Sequence, residues 1–179
     1  MRGLRSLFRL LLLSLALALG LAAFLGYRIG PPPEPPPPLA GSIDRIVVEK
    51  SARRLTVFRG GEPLRSYGVA LGFAPAGDKE RQGDGKTPEG VFHIDRRNAQ
   101  SAFHLSLGID YPKPADVIRA RAGGYSPGGD IFIHGQPNAF FGKAALTNDW
   151  TAGCIAVPDD VIEELWRITP IGTEVEIRP

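Results

Sequence analysis

Residues 129–138 read GDIFIHGQPN, and their alternation decides the class of fold. In an extended chain Ile131 and Ile133 face one side, while Phe132 and His134 face the other. His134 falls where the strand runs out, and Gly135 and Pro137 turn the chain away. Runs of the same kind recur outward from this point. DRIVVEK (44–50), RRLTVFRG (53–60) and EPLRSYGVALG (62–72), with Gly60-Gly61 as a turn, predict an antiparallel meander. EGVFHID (89–95), AFHLSLGI (102–109), GCIAV (153–157) and TEVEIRP (173–179) are further strand candidates. PADVIRARA (114–122) and PDDVIEELWRI (158–168) read as helices. In the second, Val161, Ile162, Leu165 and Trp166 share a face, and Pro158, Asp159 and Asp160 suit its start. The expectation is a mainly β domain with a few short helices, a β-sandwich or partial barrel.

Twenty residues after His134 stands Cys154, the single cysteine of the 179-residue chain, within DWTAGCIAVPDD (149–160). A lone thiol outside the cytoplasm is inert and buried, links two chains, or is a nucleophile. A free thiol is mostly protonated at neutral pH, so attack needs a nearby base. The 16 residues between His134 and Thr151 are enough for two neighbouring strands to bring His134 to Cys154. His93 and His104 read as structural or substrate-lining. The three histidines have no zinc-like spacing, so neither a metal nor another cofactor is expected. GDGKTPEG (83–90) is no phosphate loop, because the position five before Gly85 is Glu80 rather than glycine. It reads as a turn-rich lead into the strand near Val91.

The N-terminus serves delivery rather than chemistry. Arg2, Arg5 and Arg9 precede Leu10 to Tyr27, 18 residues without a charge, or about 27 Å as a helix. Residues 1–30 therefore read as a signal anchor, with a cleaved signal peptide as the alternative; the flanking arginines keep the N-terminus inside. No cysteine lies nearby, which excludes a lipoprotein anchor. PPPEPPPP (31–38) makes residues 31–40 an extended linker, about 25 Å over those eight positions. Residues 41–179 form the domain, delivered to the periplasmic or extracytoplasmic face. Without Arg2, Arg5, Arg9 and Arg28, 17 basic face 19 acidic residues, so nucleic acid is not expected as a partner.

His134, the 16-residue gap and TAGC resemble the H-x(14–17)-[ST]-H-G-C signature of the L,D-transpeptidase catalytic (YkuD) domain family. GDGKTPEGVFHID, FHLSLGIDYP and DWTAGCIAV resemble its YafK-like branch. The resemblance implies Cys154 as nucleophile, His134 as general base and acid, and the Gly135 carbonyl orienting the imidazole. It implies an oxyanion hole at the Gly153 and Cys154 backbone, and peptidoglycan stem peptides as substrate. Attack would release D-alanine and leave a thioester, which an amine from a second stem resolves into a cross-link. The same pair could instead serve an amidase that cuts at diaminopimelate or releases wall-attached protein, or the fold could be a non-catalytic wall-binding module. The chain departs from the signature at Ala152, where the family has histidine, and at Ala156, where it often has arginine. Asp149, Trp150, Thr151, His104 and Tyr111 are the candidates for substrate contact, with holding of the loop as the alternative for Thr151.

Overall fold

A computed structural model describes residues 2–28, 36–140 and 142–179. It divides into two compact units, Met1–Pro37 and Pro38–Pro179. The first carries helix α1 (Arg2–Arg28). Its side chains are described over residues 11–24 and at Gly26, and those are exposed. Among the described residues no helix is long and apolar enough to cross a membrane; residues 11–24 alone make about 21 Å of helix, short of a bilayer core. The run of prolines at residues 31–35 lies outside the described residues.

The second unit is built on β1 (Arg45–Glu49), β2 (Arg54–Arg59), β3 (Glu62–Gly68), β4 (Gly90–Ser101) and β5 (His104–Ile109). α2 (Pro114–Ala122), β6 (Phe132–His134), β7 (Ile155–Ala156), α3 (Asp159–Ile168) and β8 (Glu174–Arg178) complete it. The strands form one sheet in the order β3-β2-β1-β8-β4-β5-β6-β7. β1–β8 and β6–β7 are parallel, and the other pairs are antiparallel. The chain leaving β3 then bridges back to the far edge: Ala70 and Ala156 exchange backbone hydrogen bonds at 2.8 and 2.9 Å. The sheet thus curls toward closure, which hides two edges that would otherwise offer unpaired groups. The meander, the mainly β character and both helices agree with the sequence expectation.

One strand is longer than its pattern suggested. β4 continues through Arg96, Arg97 and Asn98 to Ser101, paired with β5 as far as His104. Most of this extension is exposed, so no apolar face marks it in the sequence. The core gathers Ile46, Val48, Leu55, Leu107, Ile133 and Ile177 between the sheet and α3, whose Ile162, Leu165 and Ile168 are buried. Leu39 joins the unit through its N–H, which donates to Glu164 Oε1 at 2.7 Å. Arg65 and Tyr67 hold the same carboxylate at 2.8 and 2.6 Å, so this buried acid is fully partnered.

Candidate active site

The parallel register of β6 and β7 pairs Ile133 with Ile155 and His134 with Ala156. Cys154, one position before Ile155, therefore shares a sheet face with Phe132 and His134. His134 and Cys154 line a single cavity of about 300 Å³ with Phe103, Ser106 and Phe132. His134 is buried, and its Nδ1 lies 2.7 Å from the carbonyl oxygen of the next residue, Gly135. Nδ1 must be the protonated nitrogen to donate there, which leaves Nε2 with a free lone pair. The rings of Phe103 and Trp150 pack on the imidazole, with centroids 4.6 and 5.7 Å away.

Burial disfavours charge on both groups. Burial pushes the His134 imidazole below its usual range, and the bond to the Gly135 carbonyl only partly offsets this. Burial pushes the Cys154 thiol up, with the Asp130 charge adding to the rise, against a Phe132 backbone hydrogen bond and the charges of Lys79 and Arg96. The thiol donates to the Asp130 carbonyl at 3.4 Å. Burial thus weighs against both the thiolate and the imidazolium before substrate arrives.

Backbone geometry holds the sulfur in place. Gly153 has φ of 140°, and a Cβ there would stand 2.7 Å from the Lys86 carbonyl oxygen. Thr151, buried, donates Oγ1–H to the Cys154 carbonyl at 2.7 Å and accepts the Gly153 N–H at 3.1 Å. Thr151 therefore braces the loop. The same bond gives the Gly153 N–H, an expected oxyanion donor, a partner within the loop.

Other expected contacts lie elsewhere for equally plain reasons. Asp149 pairs with Arg53 at 2.7 Å and accepts the Leu71 N–H at 2.9 Å, so its carboxylate is spent on the loop. His104 Nε2 pairs with Glu163 Oε1 of α3 at 2.9 Å, which draws it from the cleft. Tyr111 is a core residue whose hydroxyl donates to the Pro127 carbonyl at 3.0 Å. Trp150 does reach the site, as a wall against His134 and Phe103. Its Nε1 is buried with no hydrogen-bond partner among the described residues. His93 is on the surface near Asp110, 3.6 Å away. Ala156 is buried in the bridge to Ala70, whereas Ala152 is exposed beside Cys154.

Several residues came into view only with the fold. GDGKTPEG is a wall of the site: Thr87 Oγ1 accepts the Gly72 N–H at 3.1 Å, and Lys86 abuts Gly153. Asp84 accepts the N–H groups of Glu80, Arg81 and Lys86 and pairs with buried Lys79 at 2.6 Å. Burial opposes ionisation of Asp84, but these bonds win and hold its pKa at about 2. Arg96 reaches Asp130 at 3.2 Å by lying across Gly108, where a Cβ would stand 2.6 Å from its side chain. Gln136, buried, ties Leu146 to the site by donating to the Val157 carbonyl and accepting the Leu146 N–H, both at 2.8 Å. Among the described residues no three His, Cys, Asp or Glu side chains are grouped to hold a metal.

The family model of the YkuD L,D-transpeptidase catalytic domain matches residues 43–177, nearly all of the sheet unit. The chain belongs to this family. It is 30% identical over 135 residues to YafK of Escherichia coli strain K12, whose name assigns it provisionally to the L,D-transpeptidases; the match covers 72% of this chain and 48% of YafK. Among solved structures, Bd1075 of Bdellovibrio bacteriovorus is 28% identical with a TM-score of 0.55, covering 76% of this chain and 48% of that one. The helical cell shape determining protein Pgp2 of Campylobacter jejuni is 25% identical with a TM-score of 0.59, over the same shares. The chain thus spans about half the length of these relatives.

Proposed function

We propose that the sheet unit is a cysteine-dependent L,D-transpeptidase acting on peptidoglycan stem peptides at the extracytoplasmic face, with residues 10–27 as its membrane anchor and residues 31–40 as its spacer. The reading rests on His134 and Cys154 lining one cavity from adjacent strands, with the imidazole's Nδ1 held by the Gly135 carbonyl. Family membership supplies the substrate class.

In this reading the thiol turns from the Asp130 carbonyl toward Nε2 of His134 as substrate enters. Nε2 takes the thiol proton while sulfur attacks the carbonyl of the third stem residue, in the amide that joins it to D-alanine. The tetrahedral intermediate collapses as His134 returns that proton to the departing D-alanine amine, and a thioester to Cys154 remains. An acceptor amine loses a proton to Nε2, attacks the thioester and forms the new amide, and the thiol is restored. With the Gly153 N–H committed to Thr151, the Cys154 N–H is the candidate oxyanion donor from this loop. The aromatic wall keeps the imidazole desolvated and therefore neutral, the form a general base needs.

The test is incubation of the protein with tetrapeptide muropeptides, with products read by mass. A thioester adduct on Cys154 followed by cross-linked dimers, each lacking one D-alanine, supports the proposal. Shortened or released species without dimers would assign the same pair to hydrolysis. No adduct on a Cys154 that reacts with iodoacetamide would end the stem-peptide reading.

A further inference from the structure

Two residues of one segment address the Cys154 sulfur in opposite senses. The Asp130 carbonyl accepts from the thiol at 3.4 Å, a bond that only the protonated sulfur can make. The Phe132 backbone hydrogen bond favours the thiolate instead. Which of them prevails depends on where the Asp130 backbone sits. Its φ is 54°, in the left-handed region that a residue other than glycine seldom adopts. The Asp130 side chain is 91% exposed, and Arg96 Nη2 reaches its Oδ1 at 3.2 Å. Arg96 is itself fixed. Its Nη1 donates to both oxygens of Asp95 at 2.8 Å, and the guanidinium lies 4.5 Å from the centroid of the Phe132 ring. Its stem fills the space over Gly108, where a Cβ would stand 2.6 Å from Arg96 Cγ. An ion pair between two free surface side chains contributes little. Here the cation has already given up its freedom to Asp95, Phe132 and Gly108, so the pair restrains Asp130.

We propose that Arg96 and Asp130 are positioning residues that form a latch on Cys154: the pair keeps the Asp130 carbonyl against the thiol, and so keeps the thiol bonded there rather than to His134 until substrate enters. This rests on Cys154 being the nucleophile, as in the reading above, and adds a control on when it reacts. The latch acts only on the protonated sulfur, since a thiolate has no proton to donate. The charged groups that face the thiol are Asp130, Lys79 and Arg96, and the His134 imidazole shares its cavity.

The experiment follows alkylation of Cys154 by iodoacetamide in the whole protein from pH 5.5 to 9.5, by intact mass, beside a thermal melt. Arg96→Gln removes the hold on Asp130 and also takes a cation from around the thiol. Charge alone would therefore slow alkylation near neutral pH, whereas release of the carbonyl should speed it about threefold at pH 6.5. Asp130→Gly suits a φ of 54° and loses the pair and the negative charge together, so it should gain about tenfold. Asp130→Asn keeps an oxygen for Arg96 and tolerates the same backbone, so it should stay within about twofold of the parent. All four proteins should share one rate at the alkaline plateau. A site that is merely loosened would react faster at every pH, plateau included, and that result overturns the proposal. So does an Arg96→Gln or Asp130→Gly rate at or below the parent's, or an Asp130→Asn rate equal to that of Asp130→Gly, which would assign the effect to charge. The expected alkylation pattern without any thioester from muropeptides would leave the latch standing and sink the stem-peptide reading. No alkylation of any of the four proteins at pH 9.5 would overturn both.

Discussion

The two ends of the sheet align their strands by different means. β1 is in register with β2 and with β8 over all five of its residues, and Ile46, Val48, Leu55, Val57, Val175 and Ile177 are buried there. A one-residue slip would take that whole apolar set out of the core, so burial fixes the register. β6 and β7 pair at only two positions. Their alignment depends on single polar bonds from Thr151, Gln136, Asp149 and Thr87 and on glycines with no space for a methyl group. The first end tolerates any side chain that is apolar and of about the right volume. The second specifies individual atoms, which is what a reacting thiol demands.

The comparison is broken most directly at His134. His134→Ala should slow acylation of Cys154 by about two to four orders of magnitude, with the fold retained, as the loss of a general base predicts. The check is the rate of thioester formation by intact mass beside a thermal melt. A rate within tenfold of the parent would mean that the paired strands do not constitute the reactive centre.

The next largest effect is expected at Gly72. A Cβ there would stand 2.1 Å from the Gly85 carbonyl oxygen and 3.1 Å from the Gly153 Cα. Gly72→Ala should destabilise by about 3 kcal/mol and also depress acylation, because the wall behind Cys154 has to move. Val48→Ala, a fully buried position in β1, should cost a similar amount of stability and leave acylation of the folded protein unchanged. Equal effects of both changes on acylation would erase the distinction between the two ends.

A smaller effect, at the loop carrying Lys79, shows in acid. Asp84 has a folded pKa of about 2 against an ordinary 3.8. Below 3.8 the unfolded chain binds a proton that the folded chain refuses, so stability falls as pH drops from there toward 2. The contribution, about 2 kcal/mol, is fully present above pH 3.8. Asp84→Asn should be less stable at pH 7 and should flatten the decline between pH 4 and 2 in denaturant titrations. A parallel decline in both proteins would show that Asp84 does not anchor the loop.

This division also explains what could be read from the residues alone. The meander and α3 were legible because their apolar positions recur at strand or helix spacing. The His134–Cys154 pair was legible because its spacing matched a chemical signature. Lys79, Asp84 and Arg96 were not, because a buried ion pair and an arginine laid across Gly108 leave no periodic trace. Thr151, Asp149 and Gly153 lie beside Cys154 in sequence, but the bonds each makes within the loop could not be read from that proximity. The partners of His104 and Tyr111, Glu163 of α3 and the Pro127 carbonyl, were not legible either, since a strand pattern names a face but not the helix or loop packed on it.

The smallest effect tests that last point. His104 has φ of 62°, and its N–H donates to Asn138 Oδ1 at 2.8 Å, so its backbone is shaped by the β4–β5 turn. Its Cβ lies 3.1 Å from where a Cβ on Gly135 would be, which is close support for the residue whose carbonyl holds His134. The imidazole itself reaches outward to Glu163, a half-exposed pair of the kind that contributes at most about 1 kcal/mol. His104→Gln keeps the Cβ and the backbone and removes only the ring. Acylation should change less than twofold and stability by less than about 1 kcal/mol. A tenfold loss of acylation with an unchanged melt would return His104 to the substrate path. The polar bracing of the β6–β7 end would then extend into α3 through Glu163, and the boundary drawn here between scaffold and site would have to move.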